Sequence, residues 1–475
     1  MNTIQKITKN IGILSISQIL SYILGFFVVL YSANYLGVDG FGSISLALAL
    51  TGIFSVGMDL GLSMLSTRDV ARDKSITLDY TANLITLKLI LVILTFFLTV
   101  LIVHVLGYSN ETIQIIYLIT IYTIFTSFTQ LIYALFQGHE KMEYQSIGNI
   151  LSNLLLLIGV LIAIYLKLDI IKFSLVYPVT SILVLIYAFS TFSKKFAVPK
   201  LKVDRTKWIS LVQESWPFAI SIISVNLYLW IDSVILSVFD SAGSVGLYNA
   251  SYKLIIMLLI IPSIFNITFF PIMSKYYMSS AESLKILFDK LIKLMFLISV
   301  PICVGTFLIA DRIILLIYGE QFVGAIIILQ ILIWSIILSF VRSPLTILLE
   351  STNKQLSVTK IFILGAIFNI FLNLIIIPKY SYVGAAITNI LTDLVLLTLL
   401  LVATRNIGLY VSKNTKISFI KIVLASLVMG TTINYLLNLN VFLLIIIGII
   451  LYTVILLILR IFDNKEIKII KSISD

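Results

Sequence analysis

The stretch Val441–Leu459 reads VFLLIIIGIILYTVILLIL, and only Tyr452 and Thr453 in it carry a side chain that can hydrogen-bond. At about 1.5 Å rise per residue, a helix of this length crosses the roughly 30 Å hydrocarbon core of a bilayer. In lipid it satisfies its own backbone N–H and C=O groups, which an isolated loop or strand does not. Working outward, runs of the same kind recur near 11–33, 41–65, 82–105, 113–137, 147–166, 173–192, 215–238, 246–274, 291–309, 322–349, 357–378, 383–404, 417–437 and 440–461. Short joints separate them, with breakers such as Gly37-Val-Asp-Gly40, Gly107-Tyr-Ser-Asn110, Asp240-Ser-Ala-Gly243 and Pro378-Lys-Tyr-Ser381. The composition agrees: 60% of the 475 residues are apolar and 12% charged, with a mean hydropathy of +1.11. Soluble domains carry about 25% charged residues. The expectation is an all-α polytopic membrane protein of about fourteen transmembrane helices.

Lysine and arginine orient it. With the N-terminus placed in the cytoplasm, inner joints and helix ends hold 26 of the 33 basic residues, and the outer joints hold only Lys167, Lys172, Arg312 and Lys379. An even span number returns the C-terminus to the same side, where Lys465, Lys468 and Lys471 agree. The net charge of +11 is then a topology signal and a contact with lipid headgroups, so no nucleic-acid partner is expected. The first run, Ile11–Tyr31, is longer than the apolar part of a signal peptide and is expected to stay as a span.

The longest polar joint, Ser193–Gln213, carries Lys194, Lys195, Lys200, Lys202, Arg205 and Lys207 and follows the sixth span. Across it the sequence repeats. Gly40-Phe-Gly-Ser-Ile-Ser-Leu-Ala47 resembles Gly243-Ser-Val-Gly-Leu-Tyr-Asn-Ala250, and His139-Glu-Lys141 resembles Thr352-Asn-Lys354. A repeat of six spans preserves orientation, so its axis runs along the membrane normal. The expected organisation is an N-lobe at 1–192, a basic cytoplasmic linker at 193–214, a C-lobe at 215–404, and two peripheral spans with a cytoplasmic tail at 405–475. The last span is apolar all round and is expected to face lipid.

Several chemistries are excluded. Cys303 is the only cysteine, which rules out an intrachain disulfide, and His104 and His139 lie far apart without a ligand set around them. No joint is long enough for a soluble catalytic domain, and no Gly-rich loop with Lys and Ser/Thr marks an ATPase. No nucleophile–base arrangement appears, so no enzyme is expected.

Ionisable groups at membrane depth are costly unless paired or hydrated. Asp232 and Lys253 fall at equal depth on the consecutive seventh and eighth spans, in polar stripes with Ser221, Ser224, Tyr228 and Asn249. They fit either a structural ion pair or a cavity wall in which Lys253 meets an anion. Asp59 and Lys88 repeat the pattern near the inner face, where Lys88 also has the option of snorkelling. Asp393 sits in the middle of span twelve beside Thr388, Asn389 and Thr392. Arg342, two residues before Pro344 in span ten, is its candidate partner. Uncharged stripes occur in span one (Ser15, Gln18, Tyr22) and span four (Thr123, Thr126, Gln130, Tyr133, Gln137). These act as helix glue or line a wet cavity.

The segments Tyr35–Leu50, Asp59-Leu-Gly-Leu62 and Thr67-Arg-Asp-Val-Ala-Arg72 resemble the opening of polysaccharide-transporter proteins, the Wzx-type O-antigen and capsule flippases. Val245–Leu254, after Ile231-Asp232, looks like their junction of spans seven and eight. The resemblance implies the multidrug/oligosaccharidyl-lipid/polysaccharide exporter fold, alternating access and a central cavity. It also implies an undecaprenyl-diphosphate-linked oligosaccharide as substrate, handed on by glycosyltransferases and delivered to a glycan polymerase. The setting would be a bacterial cytoplasmic membrane, with the protein a monomer. On their burial, not on the family motif, Lys253 and Arg342 are the candidates for an anionic substrate, and Asp232, Asp393, Lys88, Asp59, Gln130 and Tyr228 are further candidates for the cavity. Lipid II flippases of this superfamily carry several charges early in span one, and none stands here between Ile11 and Ala33. The alternative is a cation-coupled multidrug exporter, with Asp393 standing in for a first-span carboxylate. No cofactor is expected, and coupling to H+ or Na+ stays open.

Overall fold

The computed structural model describes residues 3–196, 198 and 201–461, with side chains described for residue 12 and from residue 16 onward. The expectations on Ser15, Lys200, Lys465, Lys468 and Lys471 lie outside what it describes. The chain runs through α1 (Thr3–Asp59), α2 (Leu62–Arg72), α3 (Thr77–Val105), α4 (Asn110–Gly138), α5 (Met142–Tyr165), α6 (Ile170–Ser174), α7 (Val176–Lys195) and α8 (Arg205–Phe239). It continues through α9 (Ala242–Leu258), α10 (Ile260–Ser279), α11 (Ala281–Leu308), α12 (Ala310–Tyr318), α13 (Ala325–Leu332), α14 (Ser335–Ser351), α15 (Gln355–Asn406), α16 (Lys413–Tyr435) and α17 (Val441–Ile458). No strand occurs among the described residues.

Among the described residues, twelve segments are long and apolar enough to cross a membrane. Two of them, Ile16–Asp59 and Gln355–Asn406, are double-length and are each broken once, at Gly37 (φ 69°) and at Ser381 (φ 50°). Counting both arms of each gives fourteen crossings. Gly37 takes the left-handed conformation at little cost because it has no Cβ. Ser381 is held there by the hydrogen bond that its hydroxyl donates to Asp240. The chain is an all-α, multi-pass membrane protein.

Two compact units form. One takes the chain up to Asn249 together with Ile370–Tyr382, and the other takes Ala250–Asn369 together with the chain from Val383 on. In the first unit, α1 packs against α4, α5 and α8 around Val28, Ile44, Leu50, Ile116, Val160 and Phe173. In the second, α11 packs against α14 and α16, and α16 against α17, around Val300, Ile422, Met429 and Leu444.

The repeated glycine motif meets itself in the first unit. A Cβ on Gly42 would lie 1.8 Å from the carbonyl oxygen of Ala242, and one on Gly246 would lie 2.1 Å from that of Val38. Gly42 and Gly246 lie one position out of register in the two aligned copies, and each faces a backbone carbonyl of the other segment, so the second arm of α1 and the start of α9 cross through paired contacts that only glycine permits.

The second span and the last span need correcting, and two other segments gain detail. The second span was placed at 41–65, but its helix ends at Asp59. Leu60 and Gly61 turn left-handed (φ 44° and 78°), and α2 follows with Leu62, Leu65 and Val70 buried. The span at 322–349 is one crossing built of two successive helices, α13 and α14. The joint Ser193–Gln213 is helical up to Lys195 and again from Arg205, and Lys202 and Lys207 both reach Asp79 on α3. The last helix does not face lipid all round: Leu444, Gly448, Tyr452 and Leu456, one turn apart, are buried, and the Tyr452 hydroxyl donates to the Leu297 carbonyl at 2.8 Å. Its other faces are exposed.

Candidate functional site

Arg342 and Asp393 meet. On α14, one turn places Ser339 and Arg342 on the same face; on the second arm of α15, Asp393 follows the buried Thr388, Asn389 and Thr392. Nη1 of Arg342 lies 2.7 Å from Oδ1 of Asp393, and the Ser339 hydroxyl donates to Oδ2 at 3.1 Å. The guanidinium stands over the Phe362 ring, 5.5 Å from its centroid. The side chains are 12% and 1% exposed. One turn on, the Ser343 hydroxyl donates to Asn266 of α10, and Asn369 donates to Thr392 at 3.2 Å. The second unit thus contains a continuous polar patch among apolar helices, with the cationic end the more accessible.

In the first unit, Asp232 on α8 is 1% exposed. The Tyr248 hydroxyl donates to one of its oxygens at 2.7 Å, and Nδ2 of Asn373 to the other at 2.5 Å. Beside it, Asn249 donates to the Ser233 hydroxyl at 2.9 Å. Tyr228, one turn before Asp232, is half-buried. Tyr248 and Asn373 went unnoticed in the sequence. The i, i+4 pair Asn369 and Asn373 in an apolar span was the available signal. Lys253 belongs to the second unit, where it is half-buried on α9. Two residues before it, the buried Ser251 hydroxyl donates to the Ala325 carbonyl at 2.7 Å.

Asp59 and Lys88 also meet. The Lys88 ammonium donates to Oδ1 of Asp59, and Lys88 is fully buried, so it does not snorkel. The helix break explains this. Asp59 ends α1, and its carboxylate accepts from the Ser63 hydroxyl at 2.6 Å and the Ser63 N–H at 3.2 Å, bridging the start of α2 to α3. Gln130 joins none of these clusters: its side chain is exposed on α4, while Tyr133 next along the stripe is buried.

The histidines stay outside these clusters. His139, in the joint after α4, shares a hydrogen bond with the Thr77 hydroxyl at 2.9 Å and packs on Phe196. Burial, then the ammonium groups of Lys74 and Lys141, hold its imidazole below the usual range. No group of three His, Cys, Asp or Glu among the described residues is arranged to hold a metal ion.

Residues 7–277, more than half of the chain, match the family model for polysaccharide biosynthesis proteins. The chain belongs to this family. Among its relatives, the probable low-salt glycan biosynthesis flippase Agl15 of Haloferax volcanii is 23% identical over 385 residues, 80% of this chain and 79% of its own length. A candidate O-antigen transporter of Escherichia coli (strain K12) is 24% identical over 417 residues, 86% of this chain and 99% of its own. Of the solved structures, the lipid II flippase MurJ in an inward closed conformation superposes with a TM-score of 0.77 at 18% identity, covering 94% of this chain and 98% of that one. This family member therefore has the fold seen in MurJ, and its polar clusters sit within that fold.

Proposed function

We propose that the protein is a flippase that carries a lipid-linked oligosaccharide from the inner to the outer leaflet. The family match supports this reading most, because it extends over the segment that holds Asp59, Lys88, Asp232 and Lys253. The finer reading is an undecaprenyl-diphosphate-linked repeat unit of an O-antigen, capsule or exopolysaccharide. It is made by glycosyltransferases on the cytoplasmic face and passed to a polymerase outside. The protein acts as a monomer in a bacterial cytoplasmic membrane, with both termini in the cytoplasm, as the basic residues suggest. Two six-helix lobes, 1–192 and 215–404, joined by the linker 193–214, alternate access to a cavity between them, and the segment 405–475 stays peripheral. An anionic diphosphate needs cations that are reachable but not fully hydrated, and Lys253 and Arg342 are the residues assigned to it. Asp232 and Asp393 serve as their counter-charges and as candidate sites for H+ or Na+ coupling.

Complementation of a deletion strain tests the reading. Lys253→Ala is expected to reduce surface glycan at least tenfold while membrane abundance stays near normal, and lipid-linked repeat units should collect on the cytoplasmic leaflet. Unchanged glycan with lost dye efflux in the deletion strain would favour a drug exporter instead.

A further inference from the structure

The second unit contains a cavity of about 600 Å³ that none of the clusters above uses. That volume lies within the roughly 300–1,000 Å³ typical of small-molecule sites. Its walls are apolar: Phe288 and Phe296 of α11, Val341 of α14, Leu401 of α15 and Phe419 of α16. Its mouth is not. Arg405 at the end of α15, Lys416 in the first turn of α16 and Tyr410 in the joint between them stand at the rim. Both cations are exposed, and neither makes an ion pair among the described residues. The joint is fixed in place over the cavity. The Ser412 N–H donates to Asp289 at 2.9 Å, and the Lys285 ammonium lies 4.6 Å from the centre of the Tyr410 ring.

Walls of this kind hold water poorly, because a buried water needs two to four polar partners. An empty space of this size would forfeit dispersion contacts on every side. Hydrocarbon fits the interior, and two uncompensated cations at one end ask for an anion. In a membrane, the species that joins an acyl chain to an anionic group is an acidic lipid, and basic pockets between transmembrane helices recognise such headgroups. The corresponding gap in the first unit makes the contrast. There α3, α4 and α7 leave a cavity of about 390 Å³ lined by Ile85, Phe128, Leu185 and Phe189, and no cation lines it. The second unit repeats that gap between α11, α14 and the second arm of α15, then adds α16 and a basic, aromatic rim.

We infer that this cavity is a binding site for an anionic phospholipid of the leaflet that faces the basic joints, with one acyl chain between α11, α14, α15 and α16 and its phosphate at Arg405 and Lys416. The lipid fastens α16 to the rest of the second unit. The inference does not rest on the flippase reading. It is tested on the purified full-length protein by native mass spectrometry, with phosphatidylglycerol and phosphatidylcholine of matched chains offered in equal amounts. One phosphatidylglycerol should be retained in preference. Arg405→Gln with Lys416→Gln, at exposed positions where folding is not at stake, should lower that preference by about thirtyfold, given the usual contribution of two basic residues near an acidic lipid. Leu401→Trp should lower retention of both lipids. Equal retention of the two lipids by the unaltered protein would overturn the site, as would a preference that survives the double substitution. Displacement of phosphatidylglycerol by stoichiometric polyprenyl phosphate would also overturn it, by assigning the cavity to the carrier instead.

Discussion

Replacing Asp393 with alanine is expected to destabilise the folded protein by about 3–5 kcal/mol, because it leaves the Arg342 charge in a site nearly closed to water. Loss of glycan export in that variant alone would therefore say little about transport, since less folded protein would be present. The double substitution Arg342→Met with Asp393→Leu separates the two effects. A buried pair replaced by apolar groups of similar volume is often neutral or stabilising, so thermal unfolding and membrane abundance should return to near the unaltered values. Export should not return, because the guanidinium assigned to the anionic substrate is gone. Unfolding temperature in detergent and surface glycan in a complemented deletion strain give the two readings. Export restored in the double variant would make the pair a fastener between α14 and α15 and remove Arg342 from the substrate path.

Charges in apolar spans were the most legible part of the site, for a physical reason. A charge at membrane depth must find a partner at the same depth, so few arrangements are open to it. Asp59 and Lys88 fall at similar depth on neighbouring spans, whereas Arg342 is the candidate partner of Asp393 only because both are charges inside the apolar spans of one lobe. Uncharged donors obey no such rule. Tyr248 and Asn373 tolerate many environments, so their convergence on Asp232 could not be read from spacing. The helix count was legible because apolar run length is set by the bilayer. The break after Asp59 was not, because Leu60-Gly-Leu62 is as apolar as the span it ends. The packed stripe of α17 was hidden likewise: polarity separates lipid-facing from water-facing sides, and every side of this helix is apolar. Only the spacing of Gly448 and Tyr452 hinted at a face.

Gly42→Val and Gly246→Val should each be as damaging as the loss of a buried charge, although neither touches one. Each new side chain would point at a backbone carbonyl, at 1.8 Å for Gly42 and 2.1 Å for Gly246, and no rotamer moves a Cβ. Relief requires the second arm of α1 to part from the start of α9, against a core that resists expansion. Overpacking of this kind costs about 1–3 kcal/mol where side chains can yield, and here the obstacle is backbone. The expected result is a lowered unfolding temperature and at least a tenfold loss of surface glycan for either variant. Gly12→Ala is the matched control, because a Cβ there meets nothing within 4 Å and alanine favours the helix; it should leave both readings unchanged. The two damaging variants should also fail to add. Once one copy of the motif has forced the helices apart, the second substitution meets an open space, so the double variant should resemble the worse single one. Additive losses would mean that Gly42 and Gly246 act at separate contacts, and the reciprocal crossing of the two repeat copies would be refuted.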